Sequence, residues 1–426
     1  LPGRSGAALQ GNRLAFATTH QMQAAARRQP QAQAIAVAQG RILAVGSDAE
    51  VLACAGAHTV RHDLHGQALM PGLIDSHVHV FLTEVNIGHL EAIPLTLMTA
   101  KASQLMKGMI DRGFTSVRDT GGADWGIKTA VESGLIAGPR LFISAKAIGP
   151  TGGHSDSRRR TDYQQAACGC CNAMVYVMAV ADGADEVRAC VREQMRQGAD
   201  QIKIMCSGGV ASPYDPLDSL QFSEAEIAAA TDEAKNFGRY VLAHAYTPEA
   251  ITRAMNNGVR TIEHGNLIDD KSARLIKSKG GYMIANLVTY FSMKERAAQF
   301  GMTPEMLAKN DIVLEGALRS LEICKKAGVK VGYGTDLLGA LQVDQSLEFI
   351  HRAKVLKPIE IIRQATTVGA EILRMDGKLG TVTPGAYADL IVVDGNPVKN
   401  LKLFLDQGAH LSAIMKGGKF HKNALK

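Results

Sequence analysis

The sequence PGLIDSHVHV, residues 71–80, decides how the rest of the chain is interpreted. It is a short apolar run with polar side chains near its end, as expected for a buried strand. Because side chains alternate along a strand, His77 and His79 point to the same face. Two imidazoles on one face form half of a metal clamp, with Asp75 as a partner behind them. The alternative is a buried histidine pair that is bonded only to carboxylates.

Four further polar residues end apolar runs of the same kind downstream. They are Lys203 in QIKIMCSGG, His244 in LAHAY, His264 in IEHG and Asp336 in GYGTD. Four histidines, one lysine and one aspartate are the side chains that a carboxylate-bridged pair of divalent metals requires. Taken alone, His244 and His264 are better explained as core histidines, and Asp336 has the alternative role of a helix N-cap. The whole pattern nevertheless predicts a two-metal site.

Lys203 carries the most distinctive inference of the six. It lies between Ile202 and Ile204, where an ammonium group is costly to bury. Burial lowers a lysine pKa, and the neutral amine reacts with carbon dioxide to give a carbamate. The two carbamate oxygens are able to bridge two cations. The alternative is a lysine whose ammonium reaches solvent.

Strand and helix signals alternate through the middle of the chain, from about residue 71 to residue 374. Runs such as FTSVRD, YVLAHAY, YMIANLV and VKVGYGTD are predicted strands, and amphipathic segments such as SEAEIAAATDEAKNFG separate them. Ser223 and Glu226 form a capping box at the start of that segment. Seven or eight strand–helix repeats predict a parallel sheet closed into a (β/α)8 TIM-like barrel, with its chemistry at the carboxyl ends of the strands.

Both ends of the chain are rich in β signals. AIAVAQGRILAVG, which starts at Ala34, predicts a hairpin, and ADLIVVDGNP and SAIMKGGKFHKN predict strands broken by Asp-Gly and Gly-Gly turns. We therefore expect residues 1–70 to form the N-terminal part of a small β-sandwich, residues 71–379 the barrel, and residues 380–426 the C-terminal part of the sandwich.

Composition narrows the function further. The 426 residues carry a formal net charge of +6, and the basic run at 158–160 has no interleaved aromatic residues, so nucleic-acid binding is not expected. No apolar stretch is long enough to predict a membrane span. An odd number of cysteines, 7, fits a reducing compartment, and a cytoplasmic location is expected. The cluster Cys168, Cys170 and Cys171 is predicted to be a loop, with a structural metal or a redox pair as the alternative.

From about residue 34 to its C-terminus the chain resembles the amidohydrolase superfamily, in the branch of imidazolonepropionase-like and prolidase-like enzymes. The residues that match the two-metal ligand set of that superfamily are His77, His79, Lys203, His244, His264 and Asp336. The resemblance implies zinc at both positions, bridged by a carbamate on Lys203. The ligands it implies for one metal, besides Lys203, are His77, His79 and Asp336, and for the other His244 and His264. It also implies that Asp336 is the general base for a metal-bridging hydroxide and later the proton donor to the leaving amine.

Four stretches are similar to bacterial binuclear zinc Xaa-Pro dipeptidases, the prolidases: SVRDTGG, TGGHSDSRRRTDY, QIKIMCSGGVASPYDP, and the region from LAHAYTPEAI through TIEHGNLIDD. The resemblance implies that His154 and Tyr246 act in catalysis and substrate binding, and that Arg158 meets the substrate carboxylate. The expected function is hydrolysis of the amide bond of dipeptides, Xaa-Pro above all. The alternatives are other C-terminal residues, N-acyl amino acids, an amide toxin, or an imidazolonepropionase-like cyclic amidohydrolase. A homo-oligomer is expected.

Overall fold

The computed structural model describes residues 14–18, 33–158, 160–161, 176–212 and 214–425. In these residues the strands are β1 Leu14–Thr18, β2 Gln33–Ala38, β3 Arg41–Gly46, β4 Val60–Asp63, β5 Ala68–Pro71, β6 Leu73–Val78, β7 Phe114–Asp119, β8 Arg140–Ile143, β9 Ala147–Gly149, β10 Met178–Val180, β11 Ile202–Met205, β12 Val241–Ala245, β13 Thr261–His264, β14 Tyr282–Ala285, β15 Lys330–Tyr333, β16 Leu390–Val393, β17 Leu411–Lys416 and β18 Lys419–Asn423. The α-helices are α1 Asp48–Leu52, α2 Leu95–Asp111, α3 Trp125–Glu132, α4 Ala184–Arg196, α5 Glu224–Asn236, α6 Pro248–Asn256, α7 Asp270–Ser278, α8 Leu287–Phe300, α9 Pro304–Ala327, α10 Leu347–Arg352, α11 Pro358–Arg363 and α12 Gly369–Ile372. The cysteines of the predicted loop, Cys168, Cys170 and Cys171, lie outside the described residues.

Parallel strands in the middle of the chain close into an eight-position barrel. β6 pairs with β7 and β7 with β8, while β11 through β15 pair in sequence order. The gap between β8 and β11 is bridged by β9, which pairs with β11, and by Asp200 N–H, which donates to Ile143 O at 2.7 Å. At the other seam Asp336 N–H donates to His77 O at 2.9 Å. The (β/α)8 prediction is therefore confirmed.

Most of the barrel strands are buried along their whole length, because helices cover the outer face of the sheet. Every residue of β6, β7, β11, β12 and β13 is buried. Strands of a parallel sheet therefore consist of near-continuous apolar runs rather than an alternating pattern. Polar residues inside such strands stand out from this background, and they are the residues that build the site.

Strands from both ends of the chain form two four-stranded sheets next to the barrel. Their orders are β3-β2-β1-β4 and β18-β17-β16-β5. Side chains of both sheets, among them Ile35, Val37, Leu390 and Val392, pack into one buried cluster. Both ends of the chain thus build the small β-sandwich, as the sequence predicts. Domain boundaries at residues 70 and 379 stay a prediction.

Local predictions agree with the structure in most elements. β2 and β3 form the expected antiparallel hairpin, and Ser223 and Glu226 form the expected capping box of α5. Two segments differ. The run YMIANLV is predicted as one strand, but the strand covers only Tyr282–Ala285 and α8 begins at Leu287. The prediction was too long because the start of a buried helix has the same apolar composition as a strand. Strand β1 was not predicted, since its pairing with β2 and β4 is a long-range contact.

The described helices contain no segment that is both long enough and apolar enough to cross a lipid bilayer.

Candidate metal centre and active site

The predicted site residues meet in one cavity at the carboxyl ends of the barrel strands. Its lining includes His77, His79, His154, Lys203, His244, Tyr246, His264 and Asp336. The cavity measures about 50 Å³, and most of its remaining lining is apolar, including Ile87, Met178 and Met293. Polar groups thus converge within an otherwise apolar pocket, which is the common composition of a site for small molecules.

Ligand atoms of His77, His79 and Asp336 converge on one point. These atoms all lie within 4.8 Å of one another, and Asp336 Oδ1 is 3.3 Å from Nε2 of each histidine. His77 Nε2 is buried and makes no well-aligned hydrogen bond. Burial raises the pKa of Asp336, but the two adjacent imidazoles outweigh it and hold that pKa well below its usual range. A carboxylate beside two imidazoles is a donor set that fits a divalent cation, which would also satisfy the unpaired nitrogen.

Hydrogen bonds to acceptors define which ring nitrogen carries the proton in three of the histidines. His77 Nδ1 lies 2.7 Å from a buried carboxylate oxygen, and His79 Nδ1 lies 2.8 Å from Gly121 O. Because these oxygens only accept, both Nδ1 atoms donate, and in the neutral ring both Nε2 atoms keep their lone pairs. In His244 the proton lies on the other ring nitrogen, since Nε2 donates to Gly208 O at 3.0 Å and Nδ1 keeps its lone pair. Each ring therefore keeps one lone pair with which it could bind a metal.

Two of the predicted ligands sit on backbone that residues other than glycine rarely adopt. His264 has φ 75° and Asp336 has φ 52°, both in the left-handed region. His264 is the last residue of β13 and Asp336 lies three residues after β15, and both side chains line the cavity. Position 334, nearby, has no room for a side chain, because a Cβ on Gly334 would lie 2.3 Å from Ile284 Cγ2 and 2.4 Å from Asn286 Oδ1. Strained backbone of this kind is concentrated at functional sites.

A fully buried ion pair orients His77. Glu263, in β13, accepts from His77 Nδ1 at 2.7 Å, and Arg118 Nη2 lies 2.8 Å and 2.9 Å from the two Glu263 oxygens. Burial raises the pKa of Glu263, but the charge of Arg118 and the bond from His77 outweigh it and take the pKa well below its usual range. Glu263 is therefore an ionised carboxylate behind the imidazole of a candidate metal ligand, an arrangement that raises the basicity of such a ligand.

Sequence reasoning missed both partners of this pair. The available signal was an arginine inside the apolar run FTSVRD and a glutamate inside TIEHG. A charge in a buried strand requires a partner, because burying it unpaired costs several kcal/mol. The identity of the partner was not available, since Arg118 and Glu263 lie on different strands far apart in the chain.

Lys203 lies in β11 with only 1% of its surface exposed. Burial lowers its pKa to about 8, although the carboxylates of Glu263 and Asp336 act in the opposite direction. The neutral amine is thus a minority form at neutral pH, but far more populated than in an exposed lysine, and it is the form that reacts with carbon dioxide. The position and the lowered pKa both fit the predicted carbamate.

His244 and His264 form a second ligand pair that adjoins the first. Their ring centroids are 4.4 Å apart, and the centroids of His264 and His77 are 5.0 Å apart. Burial, together with neighbouring positive groups, holds the pKa of His244 well below its usual value, and burial does the same for His264. Both rings are therefore neutral, as metal coordination requires.

Tyr246 joins the site through a hydroxyl chain that the sequence did not reveal. Its hydroxyl lies 2.9 Å from Tyr290 Oη, which in turn lies 2.9 Å from His264 Nδ1. Burial raises the pKa of Tyr246, so the phenol stays protonated and able to donate. Tyr290 belongs to α8, and its apolar surroundings in the sequence give no sign that its hydroxyl is used.

The two residues predicted to bind substrate from the TGGHSDSRRR segment have different environments. His154 lines the cavity with its ring centroid 4.4 Å from that of His244, and its Nδ1 lies 2.6 Å from Ser212 Oγ. Arg158 is not among the described residues that line the cavity. Its guanidinium donates to both carboxylate oxygens of Asp156, through Nε at 2.7 Å and Nη2 at 2.5 Å.

Comparisons with known proteins are consistent with this site. The family model described as "Amidohydrolase family" matches residues 68–420, a range that contains every predicted ligand. A solved amidohydrolase is 48% identical, with a TM-score of 0.91 over 97% of this chain and 100% of that chain. A prolidase solved in complex with N-methylphosphonate-L-proline is 43% identical, with a TM-score of 0.91 over 97% of this chain and 100% of that chain. An ochratoxinase of Aspergillus niger is 29% identical over 375 residues, which cover 83% of this chain and 75% of that protein.

Proposed function

This chain belongs to the amidohydrolase family and is a hydrolase of amide bonds, and we propose that its substrates are dipeptides, Xaa-Pro dipeptides in particular. The observation that carries the proposal is the single cavity in which six potential metal ligands lie together with Tyr246 and His154. The choice of proline is supported by the similarity to a prolidase that was solved with a proline phosphonate.

We propose that two zinc ions bind in the cavity and that a carbamate on Lys203 bridges them. The further ligands we assign are His77, His79 and Asp336 to one ion, and His244 and His264 to the other. The neutral histidines, the orphaned His77 Nε2 and the lowered pKa of Lys203 support this assignment. When bound, the ions supply a Lewis acid for the substrate carbonyl and lower the pKa of the attacking water.

Asp336 is the proposed general base and then general acid. Its lowered pKa keeps it ionised, so it accepts the proton of the attacking water. It then delivers that proton to the departing nitrogen. This second transfer is essential for an Xaa-Pro bond, because an unprotonated proline nitrogen is a poor leaving group.

Tyr246 and His154 are the proposed substrate-binding residues. The protonated phenol of Tyr246 donates to the carbonyl oxygen as negative charge develops on it. His154 meets a polar group of the substrate, and like Tyr246 it packs against the His244 ring. The assignment of Arg158 to the substrate carboxylate stays a prediction, as do a homo-oligomeric state and a cytoplasmic location.

The proposal is tested by amine release from a panel of dipeptides with the zinc-loaded protein. Ala-Pro, Ala-Leu and Ala-Phe vary the C-terminal residue, and Ala-sarcosine keeps the tertiary amide without the ring. We expect the highest kcat/KM for Ala-Pro and a lower value for Ala-sarcosine. Preference for another C-terminal residue would show that the protein is a dipeptidase with a different specificity. Absence of cleavage with two zinc ions verified per chain would exclude a dipeptidase.

A second candidate is hydrolysis of a larger amide, such as an amide toxin or an N-acyl amino acid. The similarity to an ochratoxinase favours this second candidate. The same proposed metal ligands and the same general base, Asp336, would carry out the reaction. N-acyl amino acids therefore belong in the panel. An imidazolonepropionase-like cyclic amidohydrolase is distinguished by metal content, because that alternative uses one metal and has no need of Lys203.

A further inference from the structure

A loop between β11 and α5 covers one side of the cavity. We call residues 207–212 and 214–216 the glycine loop, after Gly208 and Gly209. Val210 and Ala211 of this loop line the cavity. The loop also packs closely on His154, because a Cβ on Gly209 would lie 2.0 Å from Cε1 of that ring. The position of the loop and the position of His154 are therefore linked.

Hydrogen bonds make the same link. His154 Nδ1 lies 2.6 Å from Ser212 Oγ and 3.7 Å from Asp215 Oδ2. The same Asp215 oxygen accepts from Gly209 N–H at 3.0 Å. The ring of His154 is thus hydrogen-bonded to Ser212 and lies near the carboxylate of Asp215, so its place in the cavity is linked to the shape of the loop.

One lysine from a distant helix fastens the glycine loop. Lys309, in α9, donates from Nζ to the carbonyl oxygens of Gly209 at 3.0 Å, Ser212 at 2.7 Å and Asp215 at 2.7 Å. An ammonium group has three donors, so these bonds use its whole capacity. Three carbonyl dipoles that point to one place repel each other unless a cation lies between them. The loop conformation therefore requires the charge of Lys309.

The beginning of the glycine loop is anchored separately. Ser207 forms a bridge with Leu220, and Gly208 N–H donates to Ser219 O at 3.2 Å. Gly208 is also the residue whose carbonyl oxygen accepts from His244. The start of the loop, which holds the predicted metal ligand, is thus independent of Lys309, whereas the part that holds His154 is not.

We propose that Lys309 is a positioning residue that gathers the carbonyls of the glycine loop and thereby sets the place of His154 in the cavity. The kinetic consequence rests on the proposed function, while the structural consequence does not. Loss of Lys309 weakens substrate binding through His154 and leaves the metal ligands in place.

The test replaces Lys309 with methionine, which keeps the length of the side chain and removes the ammonium. Lys325→Met is the matched control, because Lys325 lies in the same helix and its ion pair with Glu360 is on the surface. Three quantities are measured: KM and kcat on the preferred dipeptide, zinc per chain, and hydrogen exchange of the glycine-loop amides. In Lys309→Met we expect KM to rise by up to about tenfold, which corresponds to the loss of one hydrogen bond to the substrate. We also expect faster exchange at Gly209, with zinc content unchanged, and wild-type behaviour of Lys325→Met.

Each other result overturns the proposal. Unchanged exchange at Gly209 means that Lys309 does not hold the loop, and faster exchange with unchanged KM means that the loop does not position His154. A loss of zinc means that the substitution acts through the proposed metal ligand His244 rather than through His154. If Lys309→Met does not fold, Ser212→Ala tests the same link, with raised KM expected and wild-type KM excluding it. If the wild type cleaves no dipeptide, the proposed function fails, but the exchange experiment still decides whether Lys309 fastens the loop.

Discussion

Replacing Glu263 with glutamine separates the structural role of the buried ion pair from its role behind the metal ligand. The wild-type carboxylate accepts from Arg118 and from His77 Nδ1 at the same time. A glutamine of the same shape has one oxygen and one NH2 group. If the oxygen meets Arg118, the NH2 group faces His77 Nδ1 and forces that atom to accept. The proton of the neutral ring then moves to Nε2, the atom we assign to zinc.

Two magnitudes follow from this geometry. Both side chains of the pair are fully buried, so removing one charge leaves Arg118 uncompensated and costs about 3–5 kcal/mol of stability. The remaining partners of Arg118 are a carbonyl oxygen and two hydroxyl oxygens, Ser76 O, Thr261 Oγ1 and Tyr240 Oη. Loss of the carboxylate behind a ligand weakens metal affinity by about 10- to 100-fold, which is roughly 1.4–2.7 kcal/mol.

The two effects are measured separately. Urea unfolding in the presence of a chelator gives the stability of the metal-free protein, and competition with a chromophoric chelator gives the zinc affinity. Glu348→Gln is the control, because Glu348 and Arg352 form another fully buried pair. It should keep its zinc affinity and lose stability, by less than Glu263→Gln, because burial raises the pKa of Glu348 to about 7. Adding Arg118→Met to Glu263→Gln should restore stability without restoring zinc affinity.

The reasoning is refuted if Glu263→Gln keeps both the unfolding midpoint and the zinc affinity of the wild type. It is refuted equally if Glu348→Gln loses as much zinc affinity as Glu263→Gln, since the loss would then come from general destabilisation.

The remaining predictions concern catalysis and pH. Asp336→Asn should lower kcat by about 10²- to 10⁴-fold with little loss of zinc, measured by steady-state kinetics and metal analysis, and near wild-type kcat would exclude the general-base role. Burial against Phe291, with a smaller contribution from Lys354, lowers the pKa of His351 to about 4. Because the unfolded chain binds this proton near pH 6.5 and the folded chain does not, stability is lost as the pH falls from about 6.5 towards 4. His351→Gln should therefore reduce the difference between unfolding midpoints at pH 7.5 and pH 5, and an unchanged difference would assign the acid sensitivity to other groups.

The barrel was predictable because its signal is local and repeated. Apolar runs such as FTSVRD and YVLAHAY are buried strands at the predicted places, and the helix start at Ser223 follows from chemistry within four residues. Each of these inferences needs only neighbours in the sequence. Strand β1 escaped prediction because what makes it a strand is its pairing with β2 and β4.

The candidate ligand residues were also available from the sequence. Polar residues that interrupt buried strands are costly, so the apolar runs around His77, Lys203 and His264, taken together, single these side chains out as candidates. The residues that support them gave weaker signals. Tyr290 and Lys309 lie in helices where a tyrosine or a lysine is unremarkable, and their roles depend on atoms from distant segments.

The sequence by itself thus determined the fold class, the candidate metal ligands and the strands that present them. Those properties follow from local periodicity and from the free-energy cost of burying polar groups. Only the tertiary structure decided which partner each polar group has: Glu263 for Arg118, the carbonyls of the glycine loop for Lys309, and Asp156 for Arg158. Hydrogen bonds and ion pairs act over about 3 Å, so the pairing of residues far apart in the chain is set by the closure of the barrel and the course of its loops.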